Sequence, residues 1–147
     1  MDNKTKNRII NALRAISRSW GPRQSAKAKR KVGPATFACD KCGTYIYEGK
    51  STKAVDEILT KLGKTVIMDR AHLDHNIPVV PLEGWESFKD FSSNIIDRMF
   101  CEESNYNLYC PPCHAEKTSG ETEVRKNHRR KKKAQLKAEE TKKEDKT

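Results

Sequence analysis

The chain has 147 residues, of which 35% are hydrophobic and 34% are charged, and its mean hydropathy is −0.90. This size and polarity predict one domain with a modest core and flexible ends, and no apolar run reaches the roughly 20 residues of a membrane span. Residues 1–4 lack the apolar segment of a secretory signal, so a cytoplasmic protein is expected.

The net charge of +10 is unevenly distributed along the chain. Residues 1–38 carry +9, residues 39–118 carry −4 and residues 119–147 carry +5. Basic ends favour binding to a polyanion, because each Lys or Arg that neutralises a phosphate releases counterions. The alternative is that the ends only keep the chain soluble. We divide the chain into a basic N-terminal helix and linker, a central domain and a basic tail, at residues 1–35, 36–120 and 121–147.

The N-terminal part is predicted to be one helix followed by a connector. Apolar residues at helical spacing predict an amphipathic helix over residues 5–19, and the Trp-Gly-Pro sequence at 20–22 ends it. The connector at 23–34 requires no packed structure. Its basic side chains are candidates for binding nucleic acid: Arg23, Lys27, Lys29, Arg30 and Lys31.

Four of the five cysteines form two C-x-x-C pairs, Cys39/Cys42 and Cys110/Cys113. In a cytosolic protein such pairs indicate metal binding rather than disulfides, and four thiolates fill a tetrahedral zinc site. We therefore predict a structural zinc that closes the two ends of a small fold. A chance pairing of motifs or a redox pair is the alternative. The fifth cysteine, Cys101, is predicted to be a small buried residue, with replacement of a zinc ligand as the second interpretation.

Short strands and three further helices are predicted after the connector. Strands are expected at 36–38, 45–47 and 65–68, and in the segment leading to 71–75. Helices are expected over 52–62, over 87–99 and from 110 to beyond 117. From about residue 121 the chain is rich in Lys and Arg, which predicts a disordered tail or a solvated helix.

Asp74, His75 and His114 carry the chemistry of the second candidate site. Neighbouring side chains of a strand point to opposite faces, so Asp74 and His75 can serve a metal and a water separately. His114 directly follows the last cysteine, so a zinc ion would fix the helix start that presents it. One carboxylate oxygen and one imidazole nitrogen leave positions open for water and phosphate, as a catalytic divalent ion requires. The alternative is that both histidines are ordinary surface or core residues.

The combined motifs resemble those of the HNH endonucleases, and most of all the small zinc-containing HNH proteins of bacteriophages and prophages. The resemblance covers about residues 36–120 and implies an α+β fold with a ββα-metal core: two antiparallel strands, a loop and a helix. It rests on the following motifs: Cys39-x-x-Cys42, Asp74-His75-x-x-Pro78-Val79, Asn107-Leu108 and Cys110-x-x-Cys113-His114-x-x-Lys117-Thr118.

By position, the resemblance implies a role for each motif residue. His75 would be the general base that activates water, and Asp74 and His114 would hold one catalytic divalent ion, magnesium or another. Asn107 would brace the loop through hydrogen bonds to backbone and so orient the base. The implied reaction is hydrolysis of DNA phosphodiester bonds, leaving 5′-phosphate and 3′-hydroxyl ends. Lys117 could contact phosphate or merely cap a surface.

Two insertions distinguish this chain from the compact form of the family: a helix within residues 48–64 and a longer loop at 82–105. The first leaves the strand register near His72 open, and His72 is either a neighbour of the substrate or metal, or a plain strand residue. Related phage proteins often act beside the DNA-packaging terminase, so a packaging protein in the host cytoplasm is a further expected partner.

Two other functions compete with the nuclease interpretation. A non-catalytic, zinc-stabilised module that binds nucleic acid would explain the cysteines and the charge. A zinc nucleobase deaminase is disfavoured, because its H-x-E motif precedes the cysteine pair, whereas His114 and Glu116 follow the pair here.

Overall fold

The computed structural model describes residues 2–50, 57, 60–61, 63 and 66–144, with side chains described up to residue 141. Within these residues the protein is α+β, with four long helices and two small sheets. The helix predicted over 52–62 lies outside the described residues, apart from Glu57, Thr60 and Lys61, which are helical. Among the described helices, none is both long and apolar enough to cross a membrane.

Helix α1 (Asn3–Ser17) corresponds to the helix predicted over residues 5–19. The Asp2 carboxylate caps it by accepting a hydrogen bond from the Thr5 backbone N–H at 2.7 Å, which satisfies one of the free donors of the first turn. Ile10 is buried in an apolar cluster with Phe91 and Ile95. The apolar stripe of α1 therefore packs on a later helix and fixes α1 to the domain.

The connector predicted at 23–34 is structured, so that prediction was wrong. The chain forms helix α2 (Gly21–Lys29) and strand β1 (Lys31–Gly33). Pro22 lies in the first turn of α2, where its fixed φ and missing N–H are compatible with a helix, so the sequence that ends α1 also begins α2. Ala26 is fully buried, and Trp20 Nε1 donates to the Cys101 carbonyl at 2.9 Å.

The first sheet contains β1 and three further strands, β2 (Thr36–Ala38), β3 (Tyr45–Tyr47) and β4 (Val66–Met68). Its strand order is β1-β2-β3-β4; the first two pairings are antiparallel and the third is parallel. Phe37 and Ile46 are buried beside Cys39. This sheet therefore supports the turn that carries the first cysteine pair.

The second sheet is the antiparallel pair β5 (His72–His75) and β6 (Tyr106–Tyr109). Its register pairs His72 with Tyr109 and Asp74 with Asn107. Leu108 is fully buried in the same cluster as the cysteines. The strand leading to Asp74 and His75 is thus held between the cysteine core and the rest of the domain.

Two helices flank β6. Helix α3 (Phe88–Met99) is capped by the Ser87 hydroxyl, which accepts from the Asp90 N–H at 3.0 Å, and a short 3-10 helix (Glu103–Asn105) leads into β6. Helix α4 (Pro111–Glu144) follows β6 directly and crosses the predicted boundary at 120/121 without a break. All described side chains from residue 126 onward are exposed, so this part is the solvated helix rather than the disordered tail.

Candidate functional site

The cysteine cluster consists of Cys39, Cys42, Cys110 and Cys113. Their four Sγ atoms lie within 4.8 Å of one another, and the Sγ atoms of Cys42 and Cys110 are 3.7 Å apart. Tetrahedral zinc with bonds of about 2.3 Å to sulfur places its ligands roughly 3.8 Å apart. The cluster could therefore hold a structural metal such as zinc after a small contraction.

Each half of the cluster is built by local backbone geometry. Gly43 has φ +71°, a conformation that suits glycine, and its N–H donates to the Cys39 carbonyl at 2.9 Å. The second pair lies at the start of α4, where the His114 N–H donates to the Cys110 carbonyl at 2.9 Å. One pair thus lies on a tight turn and the other on the first turn of a helix.

Asp40, inside the first C-x-x-C pair, joins the two halves. Its carboxylate accepts from the Leu108 N–H at 2.7 Å and from Arg30 Nε at 2.6 Å, and its own N–H donates to the Leu108 carbonyl at 2.8 Å. The turn is therefore tied to β6 two residues before Cys110. Sequence reasoning had not singled out Asp40, because no spacing rule connects it to β6.

The thiols differ in their tendency to ionise. Burial raises the pKa of Cys110 and of Cys113, because a thiolate loses its hydration there. Hydrogen bonding with the side chain and backbone of Thr44 lowers the pKa of the exposed Cys42 to about 6. A bound cation supplies the positive charge that buried thiolates require, so this donor set fits a thiolate-ligated metal.

The second candidate site is a cleft of about 520 Å³ whose lining residues come mainly from α1, β5 and α4. Asp74, His75, His114 and Lys117 all line this cleft. The structure therefore brings together four of the residues that the sequence singled out, which come from two stretches some forty residues apart. Asn107 does not line the cleft.

Asp74 is surrounded by donors and cations. Its Oδ2 accepts from Lys117 Nζ at 2.8 Å, and its Oδ1 accepts from the His75 N–H at 2.9 Å. Burial acts to raise the pKa of Asp74, but the Lys117 hydrogen bond and charge outweigh it, and the pKa lies below its usual value. The same contact and a second one to Glu121 raise the pKa of Lys117 despite its burial. This pair is ionised at neutral pH.

His114 lies one helical turn before Lys117. Its Nε2 is 3.7 Å from Asp74 Oδ2, and its ring stacks on the His72 ring with the centroids 4.4 Å apart. Burial, with the neighbouring His72, lowers the pKa of His114, so its imidazole is neutral at neutral pH, which is the form that binds metals. Two ligand atoms at this separation can share one ion with bonds of about 2.1 Å.

His75 is only 7% exposed, and its exposed part faces the cleft. Burial lowers its pKa, so the ring is neutral at neutral pH. Its Nε2 lies 3.3 Å from the Met99 carbonyl. Because a carbonyl oxygen only accepts hydrogen bonds, Nε2 carries the hydrogen and Nδ1 keeps the lone pair. His75 thus has the protonation state of a base.

Among the described residues, Asn107 makes no side-chain hydrogen bond to backbone of the kind that the resemblance implies. Its Nδ2 instead donates to the Tyr109 hydroxyl at 3.1 Å, two residues along β6. The loop after His75 is instead braced by Asn105. The Asn105 Oδ1 accepts from the Ile77 N–H at 2.8 Å, and its carbonyl accepts from the Asn76 N–H at 2.7 Å. The antiparallel register that pairs Asp74 with Asn107 places Asn105 opposite this loop. The role of Asn105 could therefore be inferred only once this strand pairing was known.

The basic residues predicted to bind nucleic acid are largely engaged within the fold. Lys27, Lys29 and Arg30 form ion pairs of 2.6 Å with Glu48, Glu103 and Asp40, respectively. Arg23 lines the cleft and donates to the Leu73 carbonyl at 3.0 Å. Lys31 is exposed. The segment around α2 therefore contributes structural contacts, and only Arg23 reaches the cleft.

The cleft contains three arginines that sequence reasoning did not assign to a site: Arg14, Arg18 and Arg125. Arg14 lies on α1, and Arg18, four residues later, is its C-cap residue and keeps helical dihedral angles, so both lie on one helical face. Arg125 pairs with Glu121 and donates to the Val80 carbonyl at 3.2 Å. The spacing on α1 was visible in the sequence, but nothing in the sequence indicated that this face lines the same cleft as β5.

Comparison with protein-family models, with curated proteins and with solved structures finds no match to this chain.

Proposed function

We propose that the chain is a metal-dependent endonuclease of the HNH type, which hydrolyses phosphodiester bonds of DNA. The observation that best supports this proposal is the convergence of Asp74, His75 and His114 on one cleft. The elements that carry them are two antiparallel strands, β5 and β6, followed directly by helix α4. This order and pairing agree with the ββα-metal core that the sequence motifs imply.

In the proposed mechanism, Asp74 and His114 would hold one divalent ion, magnesium or another. Such an ion would stabilise the negative charge that develops on the phosphate and on the leaving 3′ oxygen. His75 accepts the proton of the attacking water at Nδ1, while its Nε2–H bond to the Met99 carbonyl keeps the tautomer fixed. The water oxygen bonds to phosphorus as the bond to the 3′ oxygen breaks, and the 3′ oxygen takes a proton from solvent, which gives 5′-phosphate and 3′-hydroxyl ends.

The cysteine cluster would hold a structural zinc and act on this site through α4. Cys113 and His114 are neighbours, and Lys117 follows one turn later, so fixing the start of α4 fixes both cleft residues. Lys117 neutralises Asp74 in this structure. Entry of a metal at Asp74 would release the Lys117 ammonium from Asp74, and Lys117, still beside Glu121, could then also contact a substrate phosphate.

DNA is the proposed polyanion because the cleft is lined by five Lys or Arg side chains and two carboxylates, which gives a positive potential. The exposed part of α4 adds the basic run Lys131, Lys132 and Lys133. A DNA-packaging terminase as protein partner and the host cytoplasm as location are proposed from the resemblance alone.

The decisive experiment is plasmid cleavage by the wild type and by His75→Ala in magnesium or manganese. We expect the variant to lose roughly 10²- to 10⁴-fold in rate, the usual contribution of a general base, and to retain zinc and DNA binding. His128→Ala is the matched control, because His128 is exposed on α4 and does not line this cleft. Unchanged cleavage by His75→Ala would contradict the proposal.

A second function, a non-catalytic zinc-stabilised module that binds nucleic acid, is favoured by one observation. Asp74 is already paired with Lys117 and His75 is nearly buried, as in a fold stabilised by internal contacts. DNA binding by the wild type without cleavage, in either metal and with zinc bound, would establish this alternative.

A further inference from the structure

The cleft has an α1 wall, which carries Arg14 and Arg18, and an α4 wall, which carries Lys117 and Arg125. The two walls differ in whether their cations are paired with acidic side chains. Arg14 on α1 and Arg18, the C-cap residue of α1, line the cleft and are exposed. Within the part of the chain that the structure describes, neither guanidinium has a carboxylate partner, and Arg14 makes only a 3.3 Å hydrogen bond to Asn11. On the α4 wall, Lys117 and Arg125 are both paired with acidic side chains.

The backbone that carries these arginines is held in place. Ser17 is buried, and its hydroxyl donates to the Arg14 carbonyl at 3.0 Å. The Gln24 side chain donates to the Arg18 carbonyl, and Ile10 anchors the helix in the apolar cluster with α3. The two guanidinium groups are therefore presented by a fixed helix face rather than by a mobile basic arm.

An unpaired guanidinium in a cleft is well suited to bind a phosphate. It stays charged at all relevant pH values, and its planar donors match two phosphate oxygens. Asp74 and His114, where the scissile phosphate is proposed to lie, belong to the same cleft. A phosphate at the α1 wall would therefore be a different phosphate of the same strand or duplex.

We propose that Arg14 and Arg18 form a second phosphate site, which binds a backbone phosphate other than the one that is cleaved. The inference rests on the proposed function, because it assigns the scissile phosphate to Asp74 and His114. It specifies the substrate class: a polynucleotide engages both sites, whereas an ester with a single phosphate engages only one. The α1 wall thus selects polymeric nucleic acid over small phosphodiesters.

The test compares two double variants that remove the same charge from the same helix. R14A/R18A removes the proposed site, and K4A/R8A removes two exposed cations of α1 that do not line the cleft. Each is assayed on a short DNA duplex and on bis(4-nitrophenyl) phosphate, which has one phosphate. DNA affinity is measured across a salt series in a His75→Ala background, so that cleavage does not interfere.

We expect R14A/R18A to bind DNA about tenfold more weakly than K4A/R8A in moderate salt, with a logarithmic salt slope that is smaller by roughly 0.9 to 1.8. The drop in kcat/KM on DNA should exceed the drop on the single diester by about the same factor. R14K/R18K should restore the salt slope, because the slope counts neutralised phosphates. That restoration separates phosphate binding from a packing role of the arginine stems.

Two results would overturn the inference: equal DNA affinity of the two alanine double variants, or an equal loss on DNA and on the single diester. If the wild type hydrolyses neither substrate, the proposed nuclease function fails. Weaker DNA binding by R14A/R18A than by K4A/R8A would in that case still support the phosphate site. The two failures are therefore distinguishable.

Discussion

The cysteine cluster and the cleft lie at neighbouring positions of α4, but they are built on different principles. Two short motifs supply all four thiols of the cluster, three of which are buried, and the thiols converge within 4.8 Å. The cleft draws its charged groups from α1, α2, β5 and α4, and several of them are paired with each other. The first arrangement suits one permanently bound ion, and the second suits charges that change partners when a substrate enters.

Loss of one cysteine ligand is the largest effect expected. Cys110→Ser replaces a buried thiolate ligand with a hydroxyl that stays protonated, so bound zinc should be lost. We expect the free energy of unfolding to fall by more than about 4 kcal/mol, because metal binding and folding are coupled in such sites. Zinc analysis together with chemical denaturation measures both consequences.

Cys101→Ser is the matched control for this variant. Cys101 is partly buried and lies outside the cluster, so zinc content should match that of the wild type. The prediction of a structural zinc at the cysteine cluster would be contradicted if Cys110→Ser kept its zinc and its stability, or if Cys101→Ser lost zinc to the same degree.

Lys117→Ala tests whether a divalent ion can replace the Lys117 ammonium as the partner of Asp74. Removal of the Lys117 ammonium leaves the half-buried carboxylates of Asp74 and Glu121 without their shared cation. We expect a loss of about 1–3 kcal/mol in the free energy of unfolding. Magnesium should restore part of it, because an ion at Asp74 replaces the missing charge and stabilises the state that binds it.

The measurement is the shift in Tm on adding magnesium to the zinc-bound protein, for the wild type and the variant. Lys41→Ala is the control, since Lys41 pairs with Glu116 on the exposed side of α4, and its magnesium response should equal that of the wild type. An equal magnesium shift in wild type and Lys117→Ala would argue against a divalent ion at Asp74.

The same contrast explains what the sequence could and could not predict. Cys39, Cys42, Cys110 and Cys113 were found because their spacing is local and their chemistry is specific, and the structure brings them together as a cluster. Asp74, His75 and His114 were singled out for a similar reason, since they belong to short motifs, and the structure places all three around one cleft.

What the sequence did not predict depends on long-range packing. The connector at 23–34 is polar in sequence, yet Ala26 is fully buried. Three of its basic side chains pair with carboxylates that are distant in sequence. The role of Arg14 and Arg18 depends on where α1 packs, which the apolar stripe of α1 does not specify. Short motifs thus encode the metal ligands, whereas the surroundings of the cleft are determined by contacts between distant segments.

The smallest effect is expected from Asn105→Ala, compared with Asn107→Ala. The comparison tests, at the loop after His75, whether a motif residue or a residue placed by long-range packing orients the base. Asn107 matches the family motif, but its side chain bonds the Tyr109 hydroxyl, whereas Asn105 accepts from the Ile77 N–H of the loop that follows His75. Loss of this bond should cost about 1 kcal/mol in unfolding free energy. It should also slow cleavage several-fold, because a looser loop positions His75 less well. Asn107→Ala should have the smaller effect on the rate.

The opposite result would be loss of cleavage with Asn107→Ala and its retention with Asn105→Ala. In that case the motif residue orients the base through a contact that forms only with substrate. Motif position would then be the better guide to function in the cleft as well.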